Sequence, residues 1–181
     1  MANGTLLILT GAPGSGKSTV AKLLTAGAEG KAAHLHTDDF YVYIRKGYIE
    51  PWLPTAHGQN TTIMEAASES AMAYARGGYF TVVDGIVGPW FLPPFRERAA
   101  RDGIAIDYVV LRPSKATAIS RGVAREERGA MRDEKVIAQM WDHFADLGVL
   151  ERHALDNGGH TTIQTAEAIL NGLAAGTFRL A

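Results

Sequence analysis

Continuous apolar runs bounded by turn residues alternate along this chain with segments in which apolar side chains recur every three or four positions. The runs TLLILT (Thr5 to Thr10), YFTVVD (Tyr79 to Asp84) and IDYVVLRP (Ile106 to Pro113) show no polar alternation, which predicts strands buried on both faces. AAHLHT (Ala32 to Thr37) is a fourth, shorter candidate, and RHALDN, ahead of the last helix, a fifth. Helical period predicts helices at about Ser18 to Ala28, Thr61 to Arg76, Phe91 to Asp102, Ser114 to Arg128 and Asp133 to Leu147. A final helix is announced by Thr161 followed three residues later by Gln164, a capping box ahead of TIQTAEAILNGLAAG. Strands alternating with helices imply crossover units and a parallel sheet, hence an α/β fold. Internal repeats, low-complexity tracts and linkers are absent from the sequence, so a single domain over 1–181 is expected.

The most specific local signal lies where the first strand gives way to the first helix. Gly11, Ala12, Pro13, Gly14, Ser15, Gly16, Lys17, Ser18 and Thr19 spell GAPGSGKST, a match to G-x-x-x-x-G-K-[ST]. In that pattern a glycine-rich turn aims backbone N–H groups at phosphate oxygens and the helix N-terminus adds positive potential. The lysine reaches the β- and γ-phosphates, and the serine hydroxyl takes Mg²⁺. ATP with Mg²⁺ is the expected cofactor pair. An NKxD guanine motif is missing, and the D-x-x-G in DNGG (Asp156 to Gly159) follows the last apolar run and reads as a turn. The chain is also short for a motor ATPase with an additional helical domain. A small kinase remains.

Composition narrows the picture further. With 181 residues, 46% apolar and 20% charged, the chain can bury a sizeable core. A formal net charge of −1 provides no electrostatic footprint for a polyanion, so nucleic acid is not the expected partner. Cysteine is absent, which excludes disulfides and thiolate metal sites. The opening MANGTLLILTGAPG is too short in apolar residues for a signal core or a membrane span. A cytoplasmic location and no membrane partner are expected.

Ligands of parallel sheets gather at the carboxyl ends of the strands. Asp38 and Asp39 after the second strand, Asp84 after the third and the phosphate loop after the first should therefore share one crevice. Phosphoryl transfer needs a carboxylate to orient the acceptor hydroxyl and take its proton, together with Mg²⁺ and neutralising cations. Asp38 is the candidate base, with Asp39 as the alternative, and Asp84 the candidate partner of Mg²⁺-bound water beside Ser18. The competing reading of TDDF is a helix N-cap, since Thr37, Asp38 and Asp39 all suit that position. Arg121, Arg125 and Arg128 are spaced to share one helical face, where they could clamp phosphate oxygens or face solvent with Glu126 and Glu127 as partners. His36 and His57 could titrate near neutrality, although a lone histidine is more often structural. No His/Asp spacing suggests zinc.

Together LLILTGAPGSGKSTVAKLL, HTDDF, GGYFTVVDGIVGPW and YVVLRPSKATAISRGVAREER resemble the P-loop small-molecule kinases and AAA-type ATP-binding proteins. The similarity is to the branch with chloramphenicol phosphotransferase, gluconate kinase and shikimate kinase. The resemblance implies a P-loop three-layer sandwich with a five-stranded parallel sheet ordered 2-3-1-4-5 and a helical lid at about 121–135. It places the proposed base on Asp38, brings Arg121 towards the adenine and Arg125 or Arg128 towards the phosphates, and makes VIAQMWDHFADL the post-lid helix.

The acceptor-side segment FYVYIRKGYIEPWLPTAHGQN matches none of those relatives closely. Arg45, Lys46, Arg96 and Arg98 are the cations that a sugar acid would need. Phe40, Tyr41, Tyr43, Tyr48, Trp52, Trp90 and Phe91 point instead to aromatic walls. Candidate acceptor contacts are Asp38, Asp39, Tyr41, Arg45, Trp52, Asp84 and Trp90. The expected activity is transfer of the γ-phosphoryl group of ATP to a hydroxyl of a small acceptor, antibiotic-like or sugar-acid-like. The alternatives are a nucleotide-binding regulatory module and a zeta-toxin-like nucleotide-sugar kinase.

Overall fold

Parallel strands β1 (Leu6–Thr10), β2 (Ala32–His36), β3 (Phe80–Gly85), β4 (Ile106–Leu111) and β5 (Ala154–Leu155) form one five-stranded sheet in the order β2-β3-β1-β4-β5. This computed structural model describes residues 4–126 and 131–180. The helices are α1 (Lys17–Ala26), α2 (Thr37–Tyr41), α3 (His57–Arg76), α4 (Pro93–Asp102), α5 (Lys115–Val123), α6 (Glu134–Asp142) and α7 (Thr162–Ala174). The parallel sheet and its order are those expected. None of the described helices is long and apolar enough to cross a membrane.

The unbroken apolar runs arise because each strand contributes to two cores at once. Leu6, Ile8, Val83, Tyr108 and Val110 face a cluster completed by α3, α4 and Phe144. Leu7, Leu9, Val82, Val109 and Leu111 face a second cluster completed by α1 and α7. Successive side chains of a strand point to opposite faces, so a sheet covered on both sides needs apolar residues at every position. Helix, sheet and helix make three layers.

Several elements differ from expectation; α3, for one, begins at His57 rather than at about Thr61. α5 stops at Val123 rather than Arg128, with the Ala124 N–H bonded to Ser120 O. Beyond Val123 the sequence has only charged and small residues until Met131, and a helix with no apolar face to bury gains too little to propagate. Arg125 therefore leaves the helical face it was expected to share with Arg121, while Arg128 lies outside the described residues. The helix expected to run to Leu147 ends at Asp142, after which Phe144 and Leu147 are buried through irregular turns. β5 has two residues, pairing with Val110 and Leu111.

At the carboxyl edge, register sets the site. Thr10 pairs with Gly85, and His36 with Asp84. Directly after β2 the chain turns into α2, whose first residue, Thr37, is buried against Gly85; a Cβ at Gly85 would overlap the Thr37 side chain. The close approach seats Asp38 beside the end of β3. Overpacking a tight contact of this kind costs about 1–3 kcal/mol, so Gly85→Ala is expected to lower unfolding stability by that order in urea titrations; an unchanged midpoint would show that α2 is not held by this contact.

Candidate active site

The loop between β1 and α1 ends at Gly16, the left-handed N-cap of α1 with φ 89° and no side-chain cap. The first-turn N–H groups of a helix have no intrahelical acceptors, and here they follow a glycine-rich turn. Gly14 has φ +82°, and a Cβ on it would strike the Ala118 carbonyl in α5. The loop is fastened from the far side, where Asn157 Nδ2 donates to Ser15 O at 2.9 Å. Two buried polar atoms beside it, Ser15 Oγ and Asn157 Oδ1, lack a partner among the described residues, as expected of a cradle shaped for a polar ligand.

Lys17 is 5% exposed. Burial holds its ammonium below the ordinary lysine value and Arg125 adds to this, against the opposing pull of Asp38 and Asp84. A buried ammonium facing Arg125 needs an anion, which phosphate would supply.

Asp84 is fully buried at the end of β3. Its Oδ2 accepts from the Ser18 hydroxyl at 2.5 Å, and its Oδ1 accepts from His34 Nε2 at 2.5 Å and His36 Nδ1 at 3.0 Å. Burial alone would raise its pKa. The donated hydrogen bonds and the His36 charge outweigh that and hold the carboxyl well below the usual range. On its other edge His36 faces Asp38, with Nε2 3.4 Å from Oδ2. Bonding to Asp38 and Asp84 pushes the His36 imidazole up to about 10, against the effect of burial. For Asp38 desolvation is the largest influence and raises the pKa, yet His36 and Lys17 together lower it, so it is a carboxylate at neutral pH. Its side chain is 70% exposed and open to a ligand.

Mg²⁺ takes hard oxygen ligands, keeps several waters and uses one or two carboxylates plus substrate phosphates. Ser18 and Asp84, an alcohol and a carboxylate in contact beside the phosphate loop, fit that ion.

Two cavities meet at Asp38. One, of about 260 Å³, is lined by Asp38, Tyr41, Trp52, His57, Asn60, Trp90, Phe91, Gln139 and His143 among others. The other, of about 590 Å³, is bordered by Pro13, Lys17, Asp38, Tyr41, Tyr48, Glu50, Trp52, Arg125, Met131 and Arg132. Pro13 and Lys17 of the phosphate loop border the larger cavity, Trp90 and Phe91 the smaller, and Tyr41 and Trp52 both.

The model of the AAA domain family matches residues 6–147. The chain belongs to the AAA domain family. Its fold is that of P-loop kinases. The Mycobacterium tuberculosis APS kinase in complex with AMPPNP and APS is 18% identical with a TM-score of 0.72, over 96% of this chain and 99% of that one. A gluconokinase from Sinorhizobium meliloti is 20% identical with a TM-score of 0.72, covering 97% of this chain and 94% of that one. The Deinococcus radiodurans tunicamycin resistance protein is 13% identical with a TM-score of 0.66, over 98% and 99%. No curated protein sequence matches the chain.

In this AAA domain the remaining expected residues are distributed unevenly. Asp39 is exposed and borders neither cavity; consecutive residues of a helix are turned about 100° apart, so α2 cannot point both carboxylates inward. The competing helix-cap reading holds in part: Asp38 and Asp39 lie in the first turn of α2, where negative charge is favourable, but His36 is the N-cap. Arg45 is likewise exposed and outside both cavities, because its neighbour Ile44 is the residue packed on the core. Arg121 donates to Gly158 O at 3.0 Å, beside the Asn157 that fastens the phosphate loop. Of the lid expected at 121–135, positions 127–130 lie outside the described residues, and its flanks Arg125, Met131 and Arg132 border the larger cavity. Phe40 packs on the core and Tyr43 is 75% exposed. The Tyr41 hydroxyl donates to Asn60 Oδ1 at 2.9 Å, and burial, then the Asp38 charge, push this phenol up, so it stays neutral.

His34, His143, Asn60 and Asn157 join the site beyond the residues to which the sequence points, and His36 is paired rather than lone. One signal was available: His34 and His36 alternate on a strand that runs directly into an aspartate pair, which places both imidazoles on one face.

The raised His36 pKa has a consequence for stability. A group whose pKa rises on folding stabilises fully below its unfolded value, about 6.5 for histidine, and loses that contribution as pH climbs through the folded value, here about 10. In metal-free protein, the stability difference between wild type and His36→Asn should shrink steadily from pH 7 to pH 10 in urea titrations. A difference that stays constant or grows over that window would contradict the ion-pair assignment.

Proposed function

We propose that this protein is an ATP- and Mg²⁺-dependent phosphotransferase acting on a hydroxyl of a small molecule. The observation that carries this is the place of Asp38: it borders both cavities, the one beside Lys17 and the one with Trp90 and Phe91, and is the one carboxylate among the described residues that the two share. A group that orients an acceptor hydroxyl towards a γ-phosphate has to stand between the two. The kinase folds of the APS kinase and gluconokinase noted above support the same reading.

In this reading Lys17 and the loop amides hold the β- and γ-phosphates, and Arg121 lies on the adenine side. Ser18 and, through water, Asp84 hold Mg²⁺, which neutralises phosphate charge when bound. The acceptor oxygen forms a bond to the γ-phosphorus while the bond from that phosphorus to the β,γ-bridging oxygen breaks, releasing ADP, and the hydroxyl proton passes to Asp38. Because its pKa is depressed, Asp38 is a weak base; its chief task is orientation, with the proton moving late, as suits a loose transition state. Arg125 or Arg128 compensates the charge spread over the transferring group.

Removing an acid–base or orienting group costs about 10²–10⁴-fold. Asp38→Asn should therefore lower kcat by at least about 10²-fold while leaving nucleotide affinity within a few-fold; near-wild-type turnover would remove Asp38 from the chemistry. Lys17→Ala should abolish tight Mg·ATP binding, measured by calorimetry, and its retention would overturn the phosphate assignment.

A further inference from the structure

We infer that the acceptor carries a flat aromatic body and no negative charge near its reacting hydroxyl, an inference that rests on the phosphotransferase reading. The smaller cavity has Tyr41, Trp52, Trp90 and Phe91 in its walls. Trp90 and Trp52 are 45% and 39% exposed, large bare surfaces for rings bordering a cleft. Trp90 is also held firmly. Its ring centroid lies 6.1 Å from Phe91, 5.7 Å from His143 and 5.8 Å from Phe144, and a Cβ on Gly88 would overlap the indole. A rigid aromatic face costs little entropy to use and favours a planar ligand stacked or edge-on against it.

The charge argument is independent of the rings. Among the described residues lining this cavity, Asp38 is the one with a formal charge at neutral pH, counting histidine as neutral. Lys17, Arg125 and Arg132 border the larger cavity, where phosphates would face them. The cations that a sugar acid would call upon are elsewhere: Arg45, Lys46 and Arg96 are exposed outside both cavities, and Arg98 is held by Glu65 and Glu69. An acceptor carboxylate placed beside Asp38 would meet repulsion, because the neighbouring His36 is already shared between the carboxylates of Asp38 and Asp84. A neutral or cationic acceptor meets none, and a cation gains from the rings as well.

Three probes that share a phenyl ring and a benzylic hydroxyl isolate the effect: 1-phenyl-1,2-ethanediol, 2-amino-1-phenylethanol and mandelate, which are neutral, cationic and anionic. Affinity is read by ligand-observed NMR titration with Mg·AMPPNP bound, at about pH 8 so that ordinary histidines are neutral. The diol and the amino alcohol should bind at least about tenfold more tightly than mandelate. Asp38→Asn should narrow that gap by at least about threefold, and Trp90→Leu should weaken diol binding by about tenfold, with the fold of each variant checked by circular dichroism and its urea unfolding midpoint. Mandelate binding as well as the diol, a gap that survives Asp38→Asn, unaltered affinity in Trp90→Leu, or no binding of any probe would each overturn the inference. Because binding is read without transfer, the two readings can fail separately. Charge-selective binding with no transfer to any hydroxyl compound would remove the phosphotransferase reading alone. Efficient phosphorylation of an aliphatic sugar acid would remove this inference alone.

Discussion

The buried carboxylate of Asp84 is the constraint on which the site depends. A carboxylate with no solvent exposure is tolerable only when its oxygens are satisfied and its charge is matched, and Asp84 meets that condition by drawing in Ser18 from α1 and His34 and His36 from β2. One side chain thereby fastens the phosphate loop, the second strand and the third strand to a common point. A polar cluster of this kind is costly if any member is lost, because the others are left charged or unpaired.

From that point the geometry of the cleft follows. His36 pairs in register with Asp84, and its outer edge faces Asp38 in the next helix. The two carboxylates are thus linked by a single imidazole while having different surroundings: Asp84 is sealed in with the P-loop serine, and Asp38 is open to both cavities. In the proposed function Asp84 serves the metal and must not move, whereas Asp38 serves the acceptor and must be reached; burial separates the two.

How much of this was legible in the chain depended on whether the deciding contacts are local. β1, β3 and β4 could be read because a two-sided core demands apolar residues at every position, and the phosphate loop because its chemistry lies in one continuous stretch. α5 ends at Val123, short of the expected Arg128, because the segment beyond it offers no apolar face to continue the helical period. The links from His34 and His36 to Asp84 depend on strand register between segments about fifty residues apart, which no local pattern records. The smaller cavity is assembled from α2, the segment around Trp52, the start of α3, the turn at Trp90 and the end of α6; its aromatic character could be expected, but Arg45 and Asp39 could be placed outside it only by knowing which neighbour faced the core.

In the proposed reaction the γ-phosphoryl group crosses from the Lys17 side to an acceptor hydroxyl at Asp38. The most direct measurement is ³¹P NMR of Mg·ATP with the protein and a panel of hydroxylated compounds: sugar acids, shikimate, nucleosides, aminoglycosides and phenylpropanoid antibiotics. With a suitable acceptor a phosphomonoester resonance should grow in step with ADP, without matching release of inorganic phosphate. ATP that is demonstrably bound yet yields only ADP and inorganic phosphate, or nothing, across the whole panel would contradict the proposed reaction.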